Sequence, residues 1–348
     1  MKYLVDGYFL TERINGVQRF GYEILKRWDT YEEAKEIQVL VPAYYDGSKA
    51  FRNLDIIRYG SNKGRLWEQI DFPGYLKKHK QEGIYFTNLI PVTCKKGIVV
   101  LHDVIFKARP DFFNKSFRGK VSVFWRTFLY KLIVKSDMKI VTVSEFSKSE
   151  IIRLYGVKAD RITVVYNSWQ HMNDVTSDDS VLLKAGVEDG SFFFSMATIA
   201  KNKNFEWILH CANNNPDQMF VIAGGGDLDK IRCELGFGHL NNVRFLGYVS
   251  DEEAKSLMKH CKAFLFPTLY EGFGIPPLEA AACGAGGIVV SDTACMHEIY
   301  GNYATYVNPL EYSNIKISDH MQKNMNELLL RYDWDVSAKK LYELLIER

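Results

Sequence analysis

One segment concentrates the side chains best suited to ligand chemistry: Phe266-Pro-Thr-Leu-Tyr-Glu-Gly-Phe-Gly-Ile-Pro-Pro-Leu-Glu-Ala-Ala-Ala-Cys-Gly. It reads as a strand end passing through a Gly-rich turn into a helix of small residues. Gly272 and Gly274 permit close approach of the main chain to a ligand, and Pro276 or Pro277 suits a helix's first turn. Amide groups at such a helix start, with the positive end of its dipole, favour an anion such as a diphosphate. Glu271 precedes the turn and Glu279 lies about one turn into the helix, so two carboxylates flank one phosphate-ready terminus. One could accept from sugar hydroxyls and the other from a ribose diol. The alternative is that Glu271 caps the helix and Glu279 is solvated.

Other positions could serve the same chemistry. Lys203 lies in Thr198-Ile-Ala-Lys-Asn-Lys-Asn, directly after an apolar run. A lysine there could neutralise a diphosphate leaving group without a metal ion, or be an ordinary exposed loop lysine. His102-Asp103 follows the apolar run 97–101. The imidazole could meet a substrate or be a hydrogen-bonded structural group, and Asp103 could cap the next segment. Gly16, in Asn15-Gly-Val-Gln-Arg, precedes a stretch of helical period and could aim main-chain N–H groups at phosphate or acceptor, with Arg13 and Arg19 as neighbours. Gly224-Gly225-Gly226-Asp227 invites a dinucleotide reading, but the G-x-G-x-x-G spacing fails at Asp229. Asp333-Trp-Asp335 has the spacing of a metal-binding pair, yet it stands just before the last helical segment, where capping explains it better. No metal site is expected.

Strands and helices must carry these groups. Short β-branched and aromatic runs recur at 3–5, 37–41, 56–59, 84–86, 98–101, 140–143 and 162–166, separated by longer segments of helical period. A polar stretch rich in Asn, Asp and Ser, 167–179, reads as a linker. The alternation restarts at 192–196, 220–223, 243–246, 263–266, 288–290 and 305–307. That order is α/β, with two doubly wound parallel sheets, ligand loops beyond the carboxyl ends of the strands and a cleft between the domains. The final helical segment, about 336–347, is expected to pack rather than react.

Composition agrees. A chain of 348 residues suits about two domains, and 47% hydrophobic with 25% charged residues marks a globular protein with two cores. Forty-four basic against 42 acidic residues, a net charge of +2, argues against a nucleic-acid partner. The six cysteines are scattered, with no CxxC pair, which fits a reducing cytoplasm. The opening MKYLVDGYFL reads as a strand rather than a signal peptide, and no run reaches the roughly 18 apolar residues of a membrane span. Between Lys107 and Lys139, however, nine Lys or Arg face two Asp, a local charge of +7, with seven interleaved aromatic residues. Such a stretch could lie on an anionic bilayer or be a helix whose aromatics face the core.

With these residues in view, the chain resembles the retaining glycosyltransferase family 4. Glu271 and Glu279 form the E-x7-E pattern of its donor site. The likeness runs on through Val243-Arg-Phe-Leu-Gly-Tyr-Val, Ala263-Phe-Leu-Phe-Pro, Gly287-Ile-Val-Val-Ser-Asp and Glu298. In the first half, Leu66-Trp-Glu-Gln, Leu101-His-Asp and Val143-Ser-Glu-Phe-Ser-Lys resemble its bacterial polysaccharide branch.

The resemblance implies a GT-B fold, two Rossmann-like domains facing a central cleft. An acceptor-binding domain would occupy 1–172, a nucleotide-sugar domain 180–330, and a C-terminal helix, 331–348, would pack back toward the first. It implies that Glu271 and His102 face the donor sugar, that amides from Gly272, Phe273, Gly274 and Ile275 hold sugar and phosphate, and that Glu279 holds ribose. Lys203 would bind the diphosphate, with Thr198 in the same loop. Gly224 and Gly225 would lie beside the nucleotide, and Tyr248 with Val249 would line the base pocket. Gly16 and Asp103 stand on the acceptor or phosphate side.

The expected activity is retaining, metal-independent transfer of a hexosyl or deoxyhexosyl group from a nucleotide diphosphate sugar, a co-substrate rather than a cofactor. The acceptor would be a glycan hydroxyl, often lipid-linked in this family, and the location cytoplasmic or peripheral on the inner membrane. The rivals are a GT-B phosphorylase, a sugar-nucleotide epimerase, or a silent GT-B subunit that positions a partner.

Overall fold

The computed structural model describes residues 3–49, 51–113, 116–196, 200–312 and 325–346. The chain divides into two units, one of Met1–Asn167 with Trp334–Arg348 and one of Ser168–Asp333.

In the first unit, runs of Ile, Val and Tyr form β1 (Tyr3–Asp6), β2 (Gln38–Pro42), β3 (Asp55–Tyr59), β4 (Glu82–Tyr85), β5 (Gly97–Val100), β6 (Lys139–Thr142) and β7 (Ile162–Val164). All pair in parallel, in the order β3-β2-β1-β4-β5-β6-β7. A parallel sheet is covered on both faces by its crossovers, so its strands are apolar on both sides. Every residue of β1 and β5 is buried accordingly. The first helix, Gly16–Trp28, packs Phe20, Ile24 and Trp28 inward. The last helix, Trp334–Ile346, lies against it: Trp28 Nε1 donates to Ala338 O at 3.0 Å, and Phe20 and Trp334 meet edge to face at 5.9 Å. Asp335 falls in that helix's first turn, where a carboxylate complements the dipole.

The second unit repeats the design with β8 (Phe192–Met196), β9 (Met219–Ala223), β10 (Val243–Gly247), β11 (Ala263–Phe266), β12 (Ile288–Ser291) and β13 (Thr305–Val307). These are parallel, in the order β10-β9-β8-β11-β12-β13. Its core gathers Phe193, Trp207, Phe220 and Leu265 among others. Large apolar side chains buried this way contribute about 1.5–3 kcal/mol each.

The two units divide between Asn167 and Ser168, at the start of the polar stretch 167–179 read as a linker. The stretch is not solvated throughout: Asn167, Ser168, His171 and Met172 are buried and Gln170–Asp174 forms a 3-10 turn, while Asn173, Asp174, Thr176, Asp178 and Asp179 are exposed. The basic aromatic stretch forms a helix, Phe117–Lys135, with only Leu129, Tyr130 and Ile133 in the core. Phe117 and Phe124 are 81% and 73% exposed, and Val121, Trp125 and Phe128 are exposed as well. The reading in which its aromatics all face inward fails.

Candidate functional site

In the second sheet the strand order reverses between β8 and β11, the crevice where open parallel sheets bind ligands. Lys203 ends a 3-10 turn, Lys201–Lys203, after β8, and Glu271 stands between β11 and the helix Ile275–Cys283. Their side chains form an ion pair, Nζ to Oε1 2.8 Å, with 28% and 15% of the two side chains exposed. Nζ also lies 5.4 Å from the centroid of the Phe266 ring.

Main-chain links hold the two loops together. Leu269 N donates to Asn202 O at 2.8 Å. Asn204, in the left-handed region at φ 53°, donates from Nδ2 to Pro267 O and Pro309 O, each at 2.8 Å. A partly exposed ion pair adds little stability. What this one supplies is a cation and a carboxylate fixed side by side at a ligand crevice.

Gly274 caps the helix Ile275–Cys283 in the left-handed region, φ 82° and ψ 69°. An L side chain is strained at that φ, and a Cβ there would also come 2.8 Å from Met296 Cε. The buried Tyr300 hydroxyl donates to Gly274 O. Phe273 is buried and meets Tyr332 edge to face at 5.4 Å, while Gly272 and Ile275 are buried too. The turn is thus fixed from both sides, and Ile275, the first residue of the helix, has an N–H with no partner within the helix, while Pro276 and Pro277 after it have no N–H to offer. Ile275 is one of the four residues whose amides the resemblance assigns to sugar and phosphate.

Glu279 is held by a partner that sequence reasoning missed. The Nε2 atom of His171 lies 2.8 Å from Glu279 Oε1, with the imidazole almost wholly buried. His171 comes from the stretch taken for a linker, and no motif marked it. Asn204 closes the segment quoted around Lys203 but, like Tyr300, was given no role.

The remaining second-unit positions lie at the same carboxyl edge. Gly224, Gly225 and Gly226 follow β9, and Gly224 N donates to Gly247 O at 2.8 Å, joining them to the loop after β10. There Tyr248 is exposed and Val249 buried. Thr198 lies outside the described residues.

In the first unit, His102 follows β5 with its ring buried, its Nε2 2.8 Å from Phe86 O and its ring 5.4 Å from that of Phe20. A carbonyl only accepts, so the neutral ring carries its proton on Nε2 and leaves Nδ1 as an acceptor for a hydroxyl. Burial lowers the His102 pKa to about 4. In the unfolded chain an imidazole titrates near 6.5, so between those pH values the unfolded state binds a proton that the folded state refuses. Stability is therefore unaffected above about pH 6.5 and falls as the pH drops towards about 4, by about 2–3 kcal/mol from this group. His102→Gln keeps a donor for Phe86 O and removes the titration. Urea unfolding at pH 7 and 4.5 should show the variant losing less stability than the parent, and equal losses would refute the assignment.

Asp103 accepts from Ile105 N at 2.9 Å in a local turn just before the short helix Ile105–Ala108, whose N-cap is Val104. Gly16 begins the helix Gly16–Trp28, with Asn15 accepting from Val17 N at 3.2 Å, and nothing lies within 4 Å of a Cβ placed on it. Packing does not require glycine there.

The profile of the family described as glycosyl transferases group 1 matches residues 184–340, which contain Lys203, Glu271 and Glu279. The chain is 30% identical over 259 residues to the O-antigen chain mannosyltransferase RfbU of Salmonella typhimurium, covering 71% of this chain and 68% of that protein. It is 25% identical over 358 residues to the O-antigen chain mannosyltransferase B of Escherichia coli, covering 92% and 90%. Among solved structures, Anabaena HepE in complex with UDP-glucose superposes with a TM-score of 0.72 at 16% identity, over 99% of each chain. That last likeness shows the fold alone, the GT-B arrangement of two Rossmann-like domains. With the Salmonella relative matched over more than two thirds of both chains, the protein belongs to the group 1 glycosyl transferases.

Proposed function

We propose that the chain moves a hexosyl or deoxyhexosyl group, with retention and without a metal ion, from a nucleotide diphosphate sugar to a hydroxyl of a growing, lipid-linked polysaccharide. One observation carries the reading: Lys203 and Glu271 are paired at the switch point of the second sheet, beside a fixed helix N-terminus. The bond from the sugar's C1 to the diphosphate breaks, a bond from the acceptor oxygen to C1 forms, and the hydroxyl proton passes to the departing diphosphate. Negative charge grows on that leaving group, where the Lys203 ammonium and the main-chain amides of Gly272, Phe273, Gly274 and Ile275 stabilise it. This charge stands in for a divalent cation. Glu271 accepts from sugar hydroxyls and Glu279 from the ribose diol. Two relatives are named mannosyltransferases, which makes GDP-mannose the first donor to try.

The test is a thermal-shift panel of GDP-, UDP- and dTDP-sugars, since a ligand bound only by the folded state raises its apparent stability. A shift with one nucleotide series that Lys203→Ala abolishes supports the donor site. If folded protein responds to none, and phosphate instead releases sugar phosphate from a glycan, the phosphorylase reading replaces this one.

His171 acts through Glu279, so it positions rather than reacts. His171→Leu should raise the donor KM roughly tenfold with kcat little changed, the pattern of lost ground-state binding, and His171→Gln should recover part of it. Initial rates at varied donor concentration decide; an unchanged KM in the Leu variant removes the role.

The exposed aromatics of the helix Phe117–Lys135, interleaved with Arg118, Lys120, Lys131 and Lys135, suit an anionic membrane surface. No helix among the described residues is long and apolar enough to cross a membrane. The paired change Phe117→Ala with Phe124→Ala should cut co-sedimentation with phosphatidylglycerol vesicles, and equal sedimentation would remove the membrane from the proposal.

A further inference from the structure

The first sheet has its own switch point, between β1 and β4, and a cavity of about 220 Å³ lies there. Asp6, the last residue of β1, and Glu68 form its acidic wall, with Arg65, Arg126, Ile90 and Trp125 around them. Asp6 is 7% and Glu68 5% exposed. Asp6 Oδ1 accepts from Tyr8 N at 3.1 Å, and Glu68 Oε2 accepts from Arg65 Nη1 at 2.6 Å. Among the described residues the second oxygen of each carboxyl has no hydrogen-bond partner.

Burying two acids on one wall is costly, and the Arg65 guanidinium on Glu68 offsets part of that cost. Burial, and then the charge of Glu68, push the Asp6 carboxyl well above the usual range, and burial also raises Glu68. A carboxyl raised in this way can, once protonated, donate as well as accept.

The backbone around the cavity is irregular. Glu68 stands in a π-helical turn, Trp67–Asp71, and Asn88, just before the lining residues of the β4 loop, is left-handed at φ 63°. Gln69 fastens that loop, donating to Ile90 O at 3.2 Å and accepting from Val92 N at 3.0 Å. Such departures gather at functional sites.

Carboxyl oxygens with open lone pairs, guanidinium donors and a partly exposed indole face are what a sugar ring needs. Its hydroxyls take the polar groups and its C–H face lies on the indole. The volume is below the roughly 300–1,000 Å³ of drug-sized ligand sites, which suits one ring. The two acids offset Arg65 and Arg126 in the same wall, leaving no excess positive charge for a diphosphate, so the ligand is a neutral sugar rather than the nucleotide.

We propose that this cavity is a subsite for one sugar ring of the acceptor, with Asp6 and Glu68 taking its hydroxyls and Trp125 its C–H face. The inference rests on the transferase reading above and assigns the acceptor's hydroxyl pattern to these side chains.

Saturation-transfer NMR with methyl mannoside, glucoside, galactoside and N-acetylglucosaminide tests binding without a donor. At least one glycoside should contact the parent protein, and Asp6→Asn and Trp125→Ala should lose that contact. Asp6→Asn still accepts from Tyr8 N, and Trp125 is 44% exposed, so both variants should fold. In transfer assays the acceptor KM should rise about tenfold in each, with the donor KM and donor-induced thermal shift unchanged. Contact retained in both variants, or an unchanged acceptor KM, overturns the subsite. A parent protein that shows no donor shift and no transfer, yet still binds the glycosides through these residues, overturns the transferase reading and leaves the sugar site standing.

Discussion

Lys203→Ala is expected to lower kcat/KM at least about a hundredfold while leaving the fold intact. Removing one preorganised donor to a developing negative charge costs about 10²–10³ in rate, and Lys203 brings a full charge where the diphosphate departs. The same change should cost less than about 1 kcal/mol of stability, because the partner of Lys203 is Glu271 in a partly exposed ion pair. Activity and stability thus separate. Glu271→Gln should also remove most turnover, and the double variant should fall little below the worse single one, because residues that work as one unit are not additive. Lys203→Arg tests geometry as well as charge, since a planar fork cannot replace a point charge at every site. Purified Lys203→Ala with near-parental turnover would remove the leaving-group role.

Gly274→Ala should damage both the fold and the reaction. The residue sits at φ 82°, where an L side chain is strained, and its Cβ would be driven to 2.8 Å from Met296 Cε and 3.1 Å from Phe266 Cε1. Left-handed strain of this kind costs about 1–3 kcal/mol, before any displacement of packed neighbours. Either the turn shifts or the helix start moves, and the main-chain amides proposed to hold the diphosphate move with it. The expected result is a melting temperature several degrees lower, at roughly 2–4 °C per kcal/mol for a unit of this size, together with a raised donor KM. Adding Met296→Ala should recover part of the stability by making room, while the backbone strain persists. Parental melting and donor binding in Gly274→Ala would show that the turn tolerates a side chain.

The cores of all thirteen strands described here could be read from runs of Ile, Val, Phe and Tyr, with ends displaced by at most two residues. The helix start after Glu271 was equally legible, because glycine and proline impose backbone geometry at their own positions. Lys203 was found from its place directly after a strand, a property of the α/β order and not of its neighbours.

Where an identification depended on convergence, local pattern was insufficient. His171 reaches Glu279 from a stretch whose polar composition resembled a linker, and composition does not reveal that a turn is packed. The aromatics of Phe117–Lys135 alternate with basic residues so evenly that no apolar stripe marks the inner face; only packing showed that Leu129, Tyr130 and Ile133 face the core. Asp6 was unremarkable in sequence, ending a strand, and Glu68 was marked only as part of the Leu66-Trp-Glu-Gln likeness, with no role given to it.

By itself, then, the sequence determined the alternation of strands and helices, the glycine turn with its two glutamates, and the lysine after β8. These depend on backbone preferences and periodicities that act over a few residues. The tertiary structure alone decided that β1 lies beside β4 and β8 beside β11, and so which side chains meet: Lys203 with Glu271, His171 with Glu279, and Asp6 with Glu68. Strand order is fixed by how whole elements bury their faces against one another, a long-range balance that no short stretch of chain encodes.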